Sequence, residues 1–240
     1  QALSHHQMDT KHLYDIPRYW PQMKRLKLPR YQYTIRDTKS GALILAFAGE
    51  CSVKCGVMAA ERYLSQLASY GIKPAELTFQ TDSGVEFSGT MRKKADRGFT
   101  YKLEQVYGAR HRLIPRGCAN ANADVESSHA LIEGEFYDLE DFSGPGDFLA
   151  KARAYQNYFN FLRPNSYKGN KTPWEIIQEE RPRLPPETLL LPPVILDESF
   201  RQNDQGAKID RVGQHVPVDP EPYAGRVLTV AGSKVIMTWV

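Results

Sequence analysis

The sequence predicts an α/β protein, a mixed five-stranded sheet flanked by helices and followed by a small β module. Three observations predict it. Strand patterns come first and in sequence, before any helical one. Helical spacing then takes over at Val53–Leu67, and again across residues 123–162. Alternation returns only in the tail, where Val235, Met237 and Trp239 share one face.

The chain of 240 residues suffices for one large domain, or for a domain of about 150–200 residues plus a small one. Its 41% hydrophobic and 25% charged residues are ordinary for a globular protein, and a net charge of +3 permits a nucleic-acid partner without demanding one. No apolar run reaches the roughly 18 residues of a membrane helix, and no signal-peptide pattern is visible. Three cysteines make no disulfide framework. Cys51 and Cys55 are four apart, but no second pair completes a zinc site, so all three read as small core or surface residues in a reducing, intracellular setting.

The first strand surrounds Gln7–Leu13. The chain begins almost inside it, which suggests a fragment whose N-terminal part lies outside this sequence. Pro17, Pro21 and the basic residues Lys24, Arg25, Lys27 and Arg30 then predict a loop or loose hairpin arm. Tyr31–Arg36 reads as the second strand, with a turn at Lys39–Gly41. Leu43–Ala48 is continuously apolar, as in a central strand covered on both faces. A helix follows on Val53, Val57, Ala60, Leu64 and Leu67, with Gly71 as its C-terminal stop. Leu77, Phe79 and Thr81 alternate with Thr78, Gln80 and Asp82 in a strand that ends on a carboxylate, and Gly84 supplies the turn after it.

A short basic helix is expected at Arg92–Arg97, and a last short strand at Leu113–Ile114. Most of Gly108–Asn122 reads as a mobile loop carrying Arg110, Arg112 and Arg116. Val125, Ile132, Phe136 and Leu139 form one apolar stripe, and Phe148, Ala152, Tyr155, Phe159 and Leu162 a second that Pro164 stops. Thr172-Pro173 opens a short capped helix. The proline-rich 181–200 reads as a semi-rigid linker between a core at 1–180 and the module at 201–240, where Gly232-Ser233 fits a hairpin turn.

Three acids stand out by position. Asp9 is mid-strand, Asp82 ends a strand, and Glu126 borders the stripe of a helix, sharing a flank with Glu133. A carboxylate at the tip of a buried strand is costly unless a cation offsets it. If the strands of Asp9 and Asp82 are neighbours, the three can converge, and oxygen-only ligands select a hard ion, Mg²⁺ with Mn²⁺ as its substitute. His129, one turn beyond Glu126, reads as a helix-packing histidine.

Gln80-Thr81-Asp82-Ser83-Gly84-Val85-Glu86-Phe87 resembles the T-D-N-G-x-E-F segment around the second acid of retroviral-type integrases and insertion-sequence transposases. His6–Thr10 is similar to the strand carrying their first acid, and Asn122–His129 to the helix carrying the third. Tyr158–Asn165 followed by Gly169–Ile176 is similar to the family's Y-N-x-x-R-P-H … G-x-T-P-x-E-I tail. The resemblance implies a ribonuclease-H-like core with Asp9, Asp82 and Glu126 as its catalytic, metal-holding DDE triad and two Mg²⁺ ions per site. It also implies DNA as partner (mobile-element ends and target), a homo-oligomer, and a cytoplasmic, nucleoid location if the source is a bacterial mobile element. The module after about residue 200 is similar to the SH3-like barrel that often follows such cores. Lys24, Arg25, Lys27, Arg30, Arg110, Arg112 and Arg116 are the DNA-contact candidates.

The sequence departs from the pattern in places. Between Asp82 and Glu126 lie 43 residues, a longer interval than usual for the family, and Ser83 stands where Asn is common. Ala130 and Glu133 stand where retroviral members carry basic DNA contacts, so those contacts do not transfer. Five Lys/Arg against four Asp/Glu after residue 200 give the module no strong positive charge. The rival readings are a relative that binds DNA or scaffolds a complex without cutting it, and an aspartic protease. The second needs two D-S/T-G turns after apolar residues; Asp82-Ser83-Gly84 follows Gln80-Thr81, and Asp9-Thr10 is followed by Lys11.

Overall fold

The computed structural model describes residues 1–88, 98–115, 118–197, 227–231 and 234–238. The chain divides into two compact units, Gln1–Asp197 and Glu198–Val240. The expected basic helix at Arg92–Arg97, the Gly232-Ser233 turn, Arg116 and Trp239 fall outside the described residues.

In the first unit, β1 (His5–His12) is followed by α1 (Tyr19–Leu26), β2 (Tyr31–Asp37), β3 (Leu43–Ala48), α2 (Val53–Ser69) and β4 (Thr78–Thr81). Then come the short α3 (Val85–Ser88) and α4 (Phe99–Tyr101), β5 (Arg110–Leu113), α5 (Ala123–Ile132), α6 (Pro145–Phe161) and α7 (Pro173–Glu180). The sheet order is β3-β2-β1-β4-β5. β1 pairs antiparallel with β2, and β2 with β3, while β4 runs parallel to both β1 and β5. This is the mixed five-stranded sheet flanked by helices that the order of patterns predicts.

Helices cover both faces. On one, Leu43, Leu45 and Phe47 of the sheet meet Tyr19 and Met23 of α1, Ile132 of α5 and Phe148, Ala152, Tyr155 and Phe159 of α6. On the other, Tyr63, Leu64 and Leu67 of α2 are fully or nearly fully buried, and Tyr63 packs edge-on against His6 and Phe79. Each Phe or Leu so enclosed stabilises the fold by about 1.5–3 kcal/mol. Gly71 follows α2 at φ +83°, the left-handed stop expected of it. Thr172 and Glu175 form a reciprocal capping box on α7, with Pro173 at its first position.

Four expectations need correction. The stretch 17–27 is not a loop: Pro21 falls in the first turn of α1, where its missing N–H has no intrahelical partner to lose, and Lys27 closes the helix at φ 56°. β3, buried throughout, is an edge strand. Its outer edge is satisfied by side chains and by a later segment: Asn160 pairs with both backbone groups of Leu43, Gln156 Oε1 accepts from Leu45 N–H at 2.8 Å, and Phe47 N–H donates to Val194 O at 2.9 Å. Leu139 leaves the stripe of α5 and is 67% exposed, because a π-helical turn at Glu133–Tyr137 shifts the helical phase. Residues 110–113 form β5, not a mobile loop, since the free edge of β4 pairs with them in parallel.

The proline-rich segment packs, over its described residues, onto the first unit: Leu189 and Leu196 are fully buried and Gln156 Nε2 donates to Leu191 O. In the second unit, β6 (Val227–Ala231) and β7 (Lys234–Thr238) pair antiparallel. The rest of the expected barrel lies outside the described residues.

Candidate active site

Gln7 of β1 pairs with Gln80 of β4 in parallel register, and each predicted aspartate lies two residues further along its strand. Side chains two apart on a strand share a face, so the register places Asp9, and Asp82 just past the last paired residues, on the same face of the sheet. Asp9 also pairs with Thr34 of β2. It is partly buried, whereas Asp82, just past β4, and Glu126, in the first turn of α5, are exposed. Asp82 Oδ1 accepts the N–H of Gly84 at 2.9 Å, which folds the turn back beneath the carboxylate.

The carboxylates feel one another. Burial pushes the Asp9 carboxyl up to about 7, the charges of Asp82, Glu126 and Glu86 add to the rise, and the N–H of Thr10 opposes it. Glu86 was not among the predicted site residues. It is 8% exposed, and its charge acts on Tyr33 and Cys51 as well as on Asp9. The Cys51 thiol is pushed up to about 12 by burial and by the charge and hydrogen bond of Glu86. A Cβ on Gly84 would stand 2.6 Å from Glu86 Oε2 and 3.0 Å from Asp82 Oδ1, so only glycine lets both carboxyl groups approach the turn. The spacing Asp82-x-Gly84-x-Glu86, a small residue between two acids, was the signal available in sequence.

His129 packs as expected, 8% exposed, with Nε2 3.0 Å from Thr34 Oγ1. Its Nδ1 also stands 3.7 Å from Asp9 Oδ2. Burial, aided by Lys11, lowers the imidazole to about 4, so it is a neutral neighbour of Asp9 and not an ion-pair partner. One turn on, Glu133 Oε2 accepts from Lys11 Nζ at 2.9 Å, and Tyr137 donates to Gln32 Oε1 at 2.7 Å. Among the described residues no three His, Cys, Asp or Glu side chains are arranged to hold a single ion: the three acids share a field without closing into one ligand set.

The basic candidates lie in two places, on α1 with the connection after it and on β5. Lys24, Arg25, Lys27 and Arg30 are exposed; Lys24 Nζ stands 4.1 Å over the Trp20 ring, and Arg30 lies beside Tyr14 and Tyr31. Arg110 and Arg112 are exposed on β5, whose intervening His111 is fixed by Thr81 and Thr100 at 2.9 and 2.7 Å.

No protein-family model matches the sequence, and no curated protein matches it. Among solved structures, the chain is similar to the catalytic core domain of BIV integrase, at 17% identity and a TM-score of 0.45 over 74% of this chain and 95% of that one. It is also similar to the HTLV-2 integrase catalytic core domain, solved in complex with magnesium in a trimeric form, at 19% identity and a TM-score of 0.49 over 72% of this chain and 95% of that one.

Proposed function

We propose that the chain is the core of a DNA transposase or integrase, a metal-dependent polynucleotidyl transferase that hydrolyses and joins phosphodiesters at mobile-element ends. The observation that carries this reading is the parallel β1–β4 register, which sets Asp9 and Asp82 side by side within the field of Glu126. The donor chemistry fits a hard divalent ion. All three acids offer oxygen, two of them are exposed, and the nearby nitrogen and sulfur groups are engaged, His129 with Thr34 and Cys51 with Glu86.

Asp9, Asp82 and Glu126 would hold two Mg²⁺ ions, for which Mn²⁺ substitutes; bound there, the ions supply charge neutralisation at the attacking and leaving oxygens of an in-line displacement. Asp9 and Asp82 would present their oxygens to the ions from the sheet, and Glu126 from α5. No covalent link to the protein is required, because the attacking oxygen comes from water or from a DNA 3′-hydroxyl. Lys24, Arg25, Lys27, Arg30, Arg110 and Arg112 supply phosphate contacts, and the chain acts as a homo-oligomer that brings two DNA ends together.

The test is Asp82→Asn, assayed with Mg²⁺ and Mn²⁺ on nicked and blunt DNA ends. Hydrolysis and strand transfer are expected to vanish while the melting temperature holds. Full activity in that variant sinks the assignment, and a wild-type protein that binds DNA without cutting it favours the scaffolding relative.

A further inference from the structure

Helix α5 carries Glu126, yet its N-terminus is not closed by its own N-cap residue. Asn122 occupies that position with no side-chain capping bond, and among the described residues its Oδ1 and Nδ2 are both buried without a hydrogen-bond partner. Asparagine is among the best N-caps, so the position is unusual. The N–H of Val125, third residue of the helix, donates instead to Oε1 of Gln7 on β1, at 3.0 Å. Gln7 Nε2 in turn donates to Ala121 O at 2.8 Å, and Gln80 Nε2 donates to the same carbonyl at 2.6 Å.

These contacts come from one row of the sheet. Gln7 is the register partner of Arg36 on β2 and of Gln80 on β4, and Arg36 Nε stands 3.1 Å from Asp124 Oδ1. Three adjacent strands thus each send one buried side chain to the start of α5, Gln7 and Arg36 to its first turn and Gln80 to Ala121 just ahead of it: Gln7 is 8% exposed, Gln80 6% and Arg36 3%. Amides this buried are costly unless they are satisfied, and the satisfaction they find is the helix start. Arg36 reaches it through the ion pair alone, its Nη1 hydrogen bond going to Gly41 O at 2.9 Å. Two of the three precede the predicted aspartates by two residues, on the same strand face.

We propose that Gln7 and Gln80 are positioning residues, an amide clamp on Ala121 and Val125 that sets Glu126 in register with Asp9 and Asp82. What the positioned helix then does rests on the polynucleotidyl-transferase reading; the clamp itself rests on the hydrogen bonds. Gln80 holds one bond to the helix start and Gln7 two, so their removal is graded.

The experiment compares wild type, Gln80→Met and Gln7→Met, which keep side-chain length and remove the amide. Hydrogen exchange by mass spectrometry is followed on peptides spanning 121–128, with β2–β3 peptides as the internal control for folding. Mg²⁺-dependent DNA nicking is measured in parallel for kcat and KM. Exchange at 121–128 is expected to rise about fivefold in Gln80→Met and further in Gln7→Met, with β2–β3 unchanged. The rate kcat should fall about tenfold to a hundredfold, the scale of a small misplacement, with KM for DNA moved by less than about threefold. Unchanged exchange in both variants overturns the clamp. Faster exchange with unaltered kcat overturns its positioning role. If wild type does not cut DNA but exchange responds as expected, the clamp stands and the catalytic reading falls.

Discussion

Tyr63 Oη lies 3.0 Å from Nε2 of His6, in a region where both residues are fully enclosed by the sheet and α2. Burial, with smaller contributions from His5 and Arg181, lowers the His6 imidazole from 6.5 to about 3, so it is neutral in the fold. Below pH 6.5 the unfolded chain takes up a proton that the folded one refuses. Stability is therefore full above that pH and is lost as pH falls towards 3. At about 1.4 kcal/mol per pH unit, the loss near pH 5 is about 2 kcal/mol. Asp37, 3.9 Å away and raised by its own burial, pulls in the opposite sense. The His6 contribution is read as the difference between urea-denaturation profiles of wild type and His6→Gln across pH 4–8; parallel profiles would refute it.

Two cap substitutions should behave oppositely. Thr172→Ala removes an acceptor 3.2 Å from Glu175 N–H and is expected to cost about 1 kcal/mol. Asn122→Ala removes two buried polar atoms that bond to nothing among the described residues and should not destabilise the fold, with a gain of up to about 1 kcal/mol as the buried amide is relieved. Chemical denaturation of both variants decides the point. A loss at Asn122 equal to that at Thr172 would mean that the asparagine does cap α5.

Burial, together with the charge and hydrogen bond of Glu86, pushes the Cys51 thiol up and keeps it protonated. Removing the charge by Glu86→Gln should lower that pKa and speed alkylation of Cys51 at pH 8–9. Exposed Cys118 should react at an unaltered rate. Peptide-resolved iodoacetamide labelling measures both rates. Gly84→Ala is expected to act the same way, because its Cβ displaces the Glu86 carboxyl.

If α1 and β5 touch DNA, the salt dependence of binding reports it. Reversing Arg25 and Lys27 together should reduce the slope of log K against log salt by about two, and Arg110→Glu with Arg112→Glu by a similar amount. An unaltered slope removes that pair from the interface.

The elements whose ends carry chemical punctuation were legible in sequence. Gly71, Pro164 and the Thr172–Glu175 pair close or open helices by local rules, and the structure keeps them. α1 was hidden because Pro17 and Pro21 read as breakers, although a proline in a first turn breaks nothing. β5 was hidden because Arg-His-Arg-Leu shows no apolar alternation; tertiary pairing with β4 and the anchoring of His111 make it a strand. In the site, Asp9, Asp82 and Glu126 announced themselves as acids. Gln7 and Gln80 did not, because a neutral amide attracts no notice until its partner is a backbone group 41 or 114 residues away. Their one visible mark is that each sits two places before an aspartate.

The docking of α5 on β1 also says where the chain tolerates length changes. One helical turn rises about 5.4 Å and two strand residues about 6.6 Å. Successive turns therefore meet successive rows, at Gln7, then Asp9 with His129, then Lys11 with Glu133. Because register is reset at Ala121, residues gained or lost ahead of it leave Glu126 where it was, and this is how the long interval after Asp82 can be accommodated. Between Ala121 and Val125 the ladder is indexed: one residue added there turns every later side chain by about 100° and misaligns all three rungs together.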